Sequence, residues 1–315
     1  MEKNNTISKD RIVIEHLDKF YGRKQVLFDI NLTIGQGMFG LLGRNGAGKS
    51  TLMKILATLL PKMSGQVEIC GLPIEKAREI RPLIGYLPQD FSMYPSMTVW
   101  DTMDYLGILS GLPAQKRREN AELLLKKVHL WEHKRKRVRA LSGGMKRRLG
   151  IAQALLHEPK VLIVDEPTAG LDPEERIRFR NLLCEVASER IVILSTHIVG
   201  DIEATCERLA ILNEGRLLYC GTVDALLKNA EGKVFALEAD RRELPLLRKE
   251  YCTTAMHRQG SKVHLRILSD EPVPGAGSCE PNMEDAYMLC LREHGVAIDL
   301  DTDESLEGGG SHVVF

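Results

Sequence analysis

The chain has no apolar run long enough to cross a bilayer, no excess of either charge and no paired cysteines. Its longest wholly apolar stretches, VLIV at residues 161–164 and IVIL at residues 191–194, are strand-sized. A spanning helix needs about 20 apolar residues, so a membrane crossing connected with this chain is expected of another one. Lys plus Arg and Asp plus Glu both total 43 in 315 residues. No global field therefore draws it to nucleic acid or anionic lipid, and only local patches could. Cys70, Cys184, Cys206, Cys220, Cys252, Cys279 and Cys290 are scattered without a C-x-x-C pair. That spacing speaks against a disulfide framework or zinc site and fits a reducing cytosol. The opening MEKNNTISKDR is polar with no apolar run behind it, so it is not read as a secretory signal. No internal repeat is visible, which implies one set of site residues per chain.

What is present reads as an α/β protein. Ile12 and Ile14 fall on one face of a strand, as do Ile30, Leu32 and Ile34. MFGLLG then runs into a glycine-rich loop. Residues 50–60 predict a helix stopping at Pro61, with Leu52, Met53, Ile55, Leu56 and Leu59 packed on a sheet. GQVEICG predicts another strand. From about residue 99 to 139 helix formers dominate, with basic runs at 116–118 (KRR) and 133–139 (HKRKRVR), so a helical insert is expected. VLIV and IVIL are apolar throughout, as strands buried on both faces of a parallel sheet are. LAILNEGRLLYCG predicts a hairpin turning at 213–215. Beyond residue 222, VFALEA, a charged helical stretch, TTAMHR and KVHLRIL predict a small β-α-β-β unit. EPVPGAGS has a linker's composition. PNMEDAYMLCLREH predicts a helix with Met283, Ala286, Tyr287, Cys290 and Leu291 on one side. The last residues, 301–315, are expected to be disordered.

Three segments carry chemistry. Residues 43–51, GRNGAGKST, hold the pattern G-x-x-x-x-G-K-S. Gly43, Gly46 and Gly48 let backbone N–H groups turn toward phosphate oxygens with no Cβ in the way. The helix that follows offers its positive N-terminus to the same anion. Lys49 adds a cation for the β- and γ-phosphates, and the Ser50 hydroxyl is placed to ligate Mg²⁺. Alone, this loop supports ATP or GTP binding. VLIVDEP at 161–167 puts Asp165 and Glu166 at the end of an apolar strand, where ligands of parallel sheets bind. Asp165 suits Mg²⁺ or its water shell, and Glu166 suits a general base for an attacking water. By itself the pair could equally be an acidic strand end capping a turn. Ser142, Gly143 and Gly144 open an amphipathic helix, which makes a second anion receptor or a capped helix start.

Together these segments resemble the nucleotide-binding subunit of an ABC transporter. GRNGAGKST resembles that family's Walker A, VLIVDEP its Walker B, and LSGGM its signature, which usually reads LSGGQ. Gln89 in YLPQD falls where the family has its Q-loop, Asp172 in AGLD on the D-loop and His197 in ILSTH on the switch histidine. Tyr21 in KFYG, rather than its neighbour Phe20, falls where an aromatic stacks on adenine. The resemblance covers about residues 11–225. It implies a P-loop NTPase core with a mostly parallel sheet, an antiparallel β subdomain, a helical insert at about 90–150, and a small α+β C-terminal extension at 226–300.

It also implies site roles. Tyr21, Gly43, Arg44, Asn45, Gly46, Ala47, Gly48, Lys49, Ser50, Thr51, Gln89 and Asp172 would bind ATP. Ser142, Gly143 and Gly144 would do so in trans, from a second copy or a homologous ATPase subunit closing head to tail over two ATP. Ser50, Gln89 and Asp165 would hold Mg²⁺, while Glu166, His197 and Lys49 would be catalytic. The implied chain is an ATPase peripheral to the cytoplasmic face of the cell membrane, docked on a multi-span permease through about residues 89–111. Phe91, Met93, Tyr94, Val99 and Trp100 are candidates for that contact or for the insert's own core. SGGMKRRLGIAQAL and PNMEDAYM resemble ATPase subunits of bacterial ABC-2-type exporters, where Pro281, Met283, Glu284, Asp285 and Tyr287 match a recurring C-terminal segment. The basic runs motivate one rival, a soluble ABC ATPase acting on nucleic acid or ribosomes. A single ATPase domain and the usual solvation of charge runs argue against it, so no nucleic-acid partner is expected. A catalytically dead binding module is argued against by the intact Lys49, Asp165, Glu166 and His197.

Overall fold

In the computed structural model, which describes residues 10–297, alternation of apolar residues sets up the first sheet. β1 (Ile12–Tyr21) and β2 (Lys24–Ile34) pair antiparallel, with Ile12 opposite Ile34 and Ile14 opposite Leu32, all buried. β3 (Gly37–Leu42) belongs to a different sheet and leads through the glycine-rich loop into α1 (Lys49–Leu56). That helix is shorter than the sequence predicts. Thr58 takes left-handed backbone with φ 58°, and the amides of Leu59 and Leu60 fold back onto the Lys54 carbonyl, which ends a helix. Leu59 is consequently 58% exposed, while Leu52, Met53, Ile55 and Leu56 are buried as expected.

β4 (Ser64–Ile69) and β5 (Leu72–Pro73) complete a four-stranded antiparallel sheet in the order β2-β1-β4-β5. After the single turn α2 (Ala77–Ile80) and β6 (Ile84–Leu87), the chain enters the helical insert, with α3 (Val99–Leu109), α4 (Ala114–Lys127) and then α5 (Gly143–Leu155). β7 (Val161–Asp165), α6 (Pro173–Ala187), β8 (Ile191–Thr196), α7 (Val199–Thr205), β9 (Arg208–Asn213) and β10 (Arg216–Thr222) return it to the second sheet. Its order is β10-β9-β3-β8-β7-β6. All its pairings are parallel except β9–β10, the predicted hairpin. Every side chain of β7 and β8 is buried. Val161, Ile163, Ile191 and Ile193 join one core with α1 and the antiparallel sheet. Their alternates Leu162, Val164, Val192 and Leu194 point to the opposite face.

The described residues divide into two units at the start of α8 (Val223–Asn229), between residues 223 and 224. The second contains α8, β11 (Val234–Asp240), α9 (Leu244–Glu250), β12 (Cys252–Gln259), β13 (Lys262–Leu268), β14 (Gly277–Ser278) and α10 (Met283–Glu293). Its antiparallel sheet runs β12-β13-β11-β14. The EPVPGAGS stretch is not a free linker. Val273 is buried in the small core and Gly277–Ser278 pairs with β11; turn-forming composition conceals one apolar anchor. Residues 301–315 lie outside the described residues.

α10 explains part of the PNMEDAYM segment. Glu284 is exposed, but Asp285 is fully buried. Asp285 accepts from Arg266 Nε at 3.0 Å, from Arg266 Nη2 at 2.5 Å and from Asn282 N at 3.0 Å, and it bonds the Thr254 hydroxyl. The Asn282 side chain in turn caps Asp285 N at 2.8 Å. One carboxylate thus starts the helix and ties it to β12 and β13, and its hydrogen bonds from Arg266, with its charge adding, raise the Arg266 pKa. Asp285→Ala is expected to destabilise this unit by about 3 kcal/mol, the low end for a broken buried ion pair, because Arg266 retains 29% exposure. Chemical unfolding of the two chains checks this, and an unchanged midpoint would refute it.

Candidate active site

The strand register brings three chain segments level. Leu42 lies opposite Thr196, and Asp165 opposite Ser195. The loop after β3, the carboxylates ending β7 and the histidine after β8 therefore leave the sheet together, at its carboxyl edge. Gly43 N donates to Thr196 O at 3.3 Å, and Gly215 N to Ala47 O at 2.9 Å. A Cβ on Gly43 would stand 2.2 Å from the Leu212 carbonyl oxygen, and one on Gly48, whose φ is 104°, 2.9 Å from Leu27. These glycines let the loop lie flat on its neighbours. Arg44, Asn45 and Gly46 face outward and are exposed, and Ala47 is buried.

α1 begins at Gly48 with no side-chain cap and no acid in its first turn. α3, α5, α6 and α10 each start with a capping side chain, from Thr98, Ser142, Asp172 and Asn282. The first N–H groups of a helix need acceptors. At α1, where Ser50 and Thr51 stand, no side chain supplies one, which suits an anionic ligand.

Lys49, Glu166 and His197 form a chain. Lys49 is 5% exposed and donates to Gly43 O at 2.7 Å and Arg44 O at 3.2 Å. Its Nζ also lies 3.2 Å from Glu166 Oε1, close enough for an ion pair, though that oxygen has no aligned hydrogen bond. Glu166 Oε2 meets His197 Nδ1 at 2.7 Å. The His197 side chain is 42% exposed, so the ring is reachable while the carboxylate it holds is buried. Glu166 adopts φ 47°, a left-handed backbone costly for a residue with a Cβ and typical of functional sites.

Asp165 is 2% exposed, and its Oδ1 has no hydrogen-bond partner. The Tyr86 hydroxyl and Ser195 Oγ are likewise buried without partners. Burial, with the Asp165 charge adding to it, pushes the Tyr86 phenol up to about 12. An orphaned buried carboxylate oxygen fits a cation or its water shell. Among the described residues no cluster of three His, Cys, Asp or Glu could hold a metal.

The remaining expected residues are placed less directly. Tyr21 ends β1 with its ring 48% exposed, and Lys19 Nζ lies 5.6 Å from the ring centroid; Phe20 is half-buried. Gln89 is exposed just beyond β6, and its carbonyl accepts from Arg147 Nη1 of α5 at 2.9 Å. Of the five apolar residues after it, only Val99 is in the core, while Tyr94 is 45% exposed.

At the signature turn, Ser142 Oγ accepts from Met145 N at 3.2 Å. It does cap its helix, and its O–H remains a donor. A Cβ on Gly144 would sit 2.6 Å from Glu175 Oε2, whereas Gly143 has open space. Packing thus demands the second glycine, and the first faces outward. Ser142, Gly143 and Gly144 make no hydrogen bond to the loop at 43–51 among the described residues. Asp172 caps α6 by accepting from Glu175 N at 2.9 Å.

Sequence reasoning missed the braces between these motifs. Glu175 joins Arg148 of α5 at 3.3 Å to Asp172 at the start of α6. Thr168 bonds the fully buried Asp201, which also has Arg180 at 3.7 Å; this ties the segment after Glu166 to the helix after His197. Both carboxylates sit in ordinary helical sequence, and only the Gly144 beside Glu175 hinted at a close neighbour.

The sequence model of the family described as "ABC transporter" matches residues 27–169. The chain is 37% identical over 251 residues to the uncharacterized ABC transporter ATP-binding protein YxlF of Bacillus subtilis, covering 79% of this chain and 84% of that protein. It is 34% identical over 266 residues to the Nod factor export ATP-binding protein I of Burkholderia lata, covering 84% and 87%. Among solved structures it resembles the ATP-binding cassette MJ0796, a dimer in a post-hydrolysis state bound to ADP and Pi. The TM-score is 0.61 at 25% identity, over 67% of this chain and 98% of that one.

Proposed function

Because the chain belongs to the family of ABC transporter ATP-binding subunits, and is an ATPase with that family's α/β fold, we propose that it powers an exporter from the cytoplasmic face of the cell membrane. The observation that carries the ATPase reading is the Lys49–Glu166–His197 chain, level with the uncapped start of α1. The loop from Gly43 to Thr51 wraps the phosphates, and Tyr21 supports the adenine. Ser50, Gln89 and Asp165 would hold Mg²⁺, which when bound neutralises charge on the β- and γ-phosphates. His197 fixes Glu166 Oε2, so Oε1 is the oxygen free to take a proton from the attacking water. Lys49, steered toward the loop by two carbonyls, meets the charge that develops on the γ-phosphate.

The site is completed in trans. Ser142, Gly143 and Gly144 form a second receptor on the same chain, with no bond to the first among the described residues. A second copy, turned head to tail, would bring its receptor to the γ-phosphate. A phosphate held by both copies joins them, and its loss frees them. The dimeric state of the resolved cassette relative supports this.

Among the described residues no helix is long and apolar enough to cross a membrane, so the transport path belongs to a multi-span partner. Exposed side chains from Gln89 to Gly111, with Tyr94 foremost, suit that contact. The Nod factor export relative supports the outward direction. Capture of a tagged copy from detergent-solubilised cells is expected to recover a multi-span membrane protein in stoichiometric amount. Recovery only of ribosomes or nucleic acid would overturn the transporter reading.

A further inference from the structure

The basic run at 133–139 is still without a role. It forms only short 3₁₀ turns, at Trp131–His133 and Val138–Ala140. Instead its backbone is pinned. Val99 N donates to Lys136 O at 3.0 Å, Trp100 N to Lys134 O at 2.9 Å, and Val138 N to Met97 O at 2.9 Å, and Thr98 bridges Arg137. The run's carbonyls thus satisfy the first amides of α3, and buried Val138 anchors it below. Lys134 is stacked 3.2 Å from the Trp131 ring centroid, and Trp131 packs edge-on to Trp100.

The other cations are left outward. Arg135, Lys136, Arg137 and Arg139 are all exposed, and none has an ion-pair partner among the described residues. Glu132 is the one acid between residues 131 and 139, and Asp101 is exposed on the first turn of α3. In the neighbouring helices of the insert, Lys116 pairs with Glu158, Arg117 with Asp104 and Lys126 with Glu122. Four exposed, unpaired cations thus stand within five residues on one strip of fixed backbone. That strip is hydrogen-bonded to the segment at 95–100, inside the stretch assigned above to the membrane partner.

We propose that Arg135, Lys136, Arg137 and Arg139 form a contact with the anionic lipid surface beside that partner. The inference rests on the peripheral placement argued under Proposed function, where the adjoining stretch at 89–111 meets the membrane partner. Anionic headgroups attract juxtamembrane cations within a Debye length of the surface. Because the backbone is already held by α3, little ordering remains to oppose binding. The strip would set the tilt and residence of the subunit at the membrane and takes no part in hydrolysis.

Vesicle sedimentation of the full chain tests this, comparing phosphatidylcholine alone with phosphatidylcholine mixed with phosphatidylglycerol, at low and high salt. The chain is expected to bind the mixed vesicles and to leave them at high salt. Each charge is worth about fivefold in partitioning, so replacing all four by Gln should cost on the order of several hundredfold. A control chain carrying Arg241→Gln, Arg242→Gln, Lys249→Gln and Arg258→Gln makes the same change in net charge at exposed sites of the second unit. It is expected to bind vesicles like wild type. ATP hydrolysis by both variants is expected to persist, which separates this proposal from the ATPase reading. Equal binding to both vesicle types, equal losses in the two variants, or tight binding of RNA through the same four residues with indifference to phosphatidylglycerol would each overturn it.

Discussion

Glu166→Gln is expected to lower steady-state ATP hydrolysis by on the order of 10²–10⁴-fold, the range that a positioned general base contributes, while ATP stays bound. The substitution keeps the shape of the side chain. His197 Nδ1, 2.7 Å from Oε2, can still bond to the amide oxygen. What disappears is the basic oxygen at Oε1, and with it the negative charge 3.2 Å from Lys49. Lys49 then has no carboxylate to share with the phosphates, so nucleotide binding should hold or tighten. With the γ-phosphate uncleaved, two copies should remain joined. Sizing in ATP, with and without Mg²⁺, measures that dimer, and phosphate release measures turnover. Hydrolysis at the wild-type rate would remove Glu166 from its role.

Lys49→Ala and Ser142→Arg are expected to fail in different ways. Lys49 is buried, and its Nζ is held against the loop by two carbonyls. Its loss removes charge-assisted bonds worth about 1.5–3 kcal/mol and leaves Glu166 buried without a counter-charge. ATP affinity of the single chain should fall by roughly 10–100-fold. Ser142 instead lies at the start of α5, outside the bonded network of the loop. Arginine there fills the open side of Gly143 and costs about 1 kcal/mol of capping. Nucleotide affinity of the single chain should be nearly unchanged and hydrolysis lost. Titration with a fluorescent ATP analogue separates the cases, and equal losses of affinity would undercut the trans arrangement.

Much of this site was legible because its chemistry is local. A glycine-rich loop before a helix, or two carboxylates after four apolar residues, constrain their own backbone through neighbours in sequence. The same holds for β7 and β8, whose unbroken apolar runs have one explanation in a parallel sheet. The end of α1 was misplaced because Thr58 in left-handed backbone has no signature in composition. Leu59 was misassigned with it. Asp285 was read only through its resemblance to a recurring segment. Its physical reason, the grip on Arg266 and Thr254, joins residues 19 and 31 positions away. Glu175 and Asp201 were invisible for the same reason. A brace between distant segments leaves no periodicity, and a carboxylate on a helix reads as solvated until its neighbours are known. The basic run read in sequence as a solvated face or as a motive for the nucleic-acid rival; its pinning to α3 required the fold.

The central claim is that one ATP is held between the loop of one copy and the signature turn of another. Mixing the Lys49→Ala and Ser142→Arg chains tests it most directly. In a head-to-tail dimer of one of each, one site carries both defects and the other carries neither. ATP hydrolysis should therefore appear in the mixture though neither variant alone sustains it. A mixture that stays inert while native mass measurement shows the mixed dimer forming with ATP would contradict the shared site.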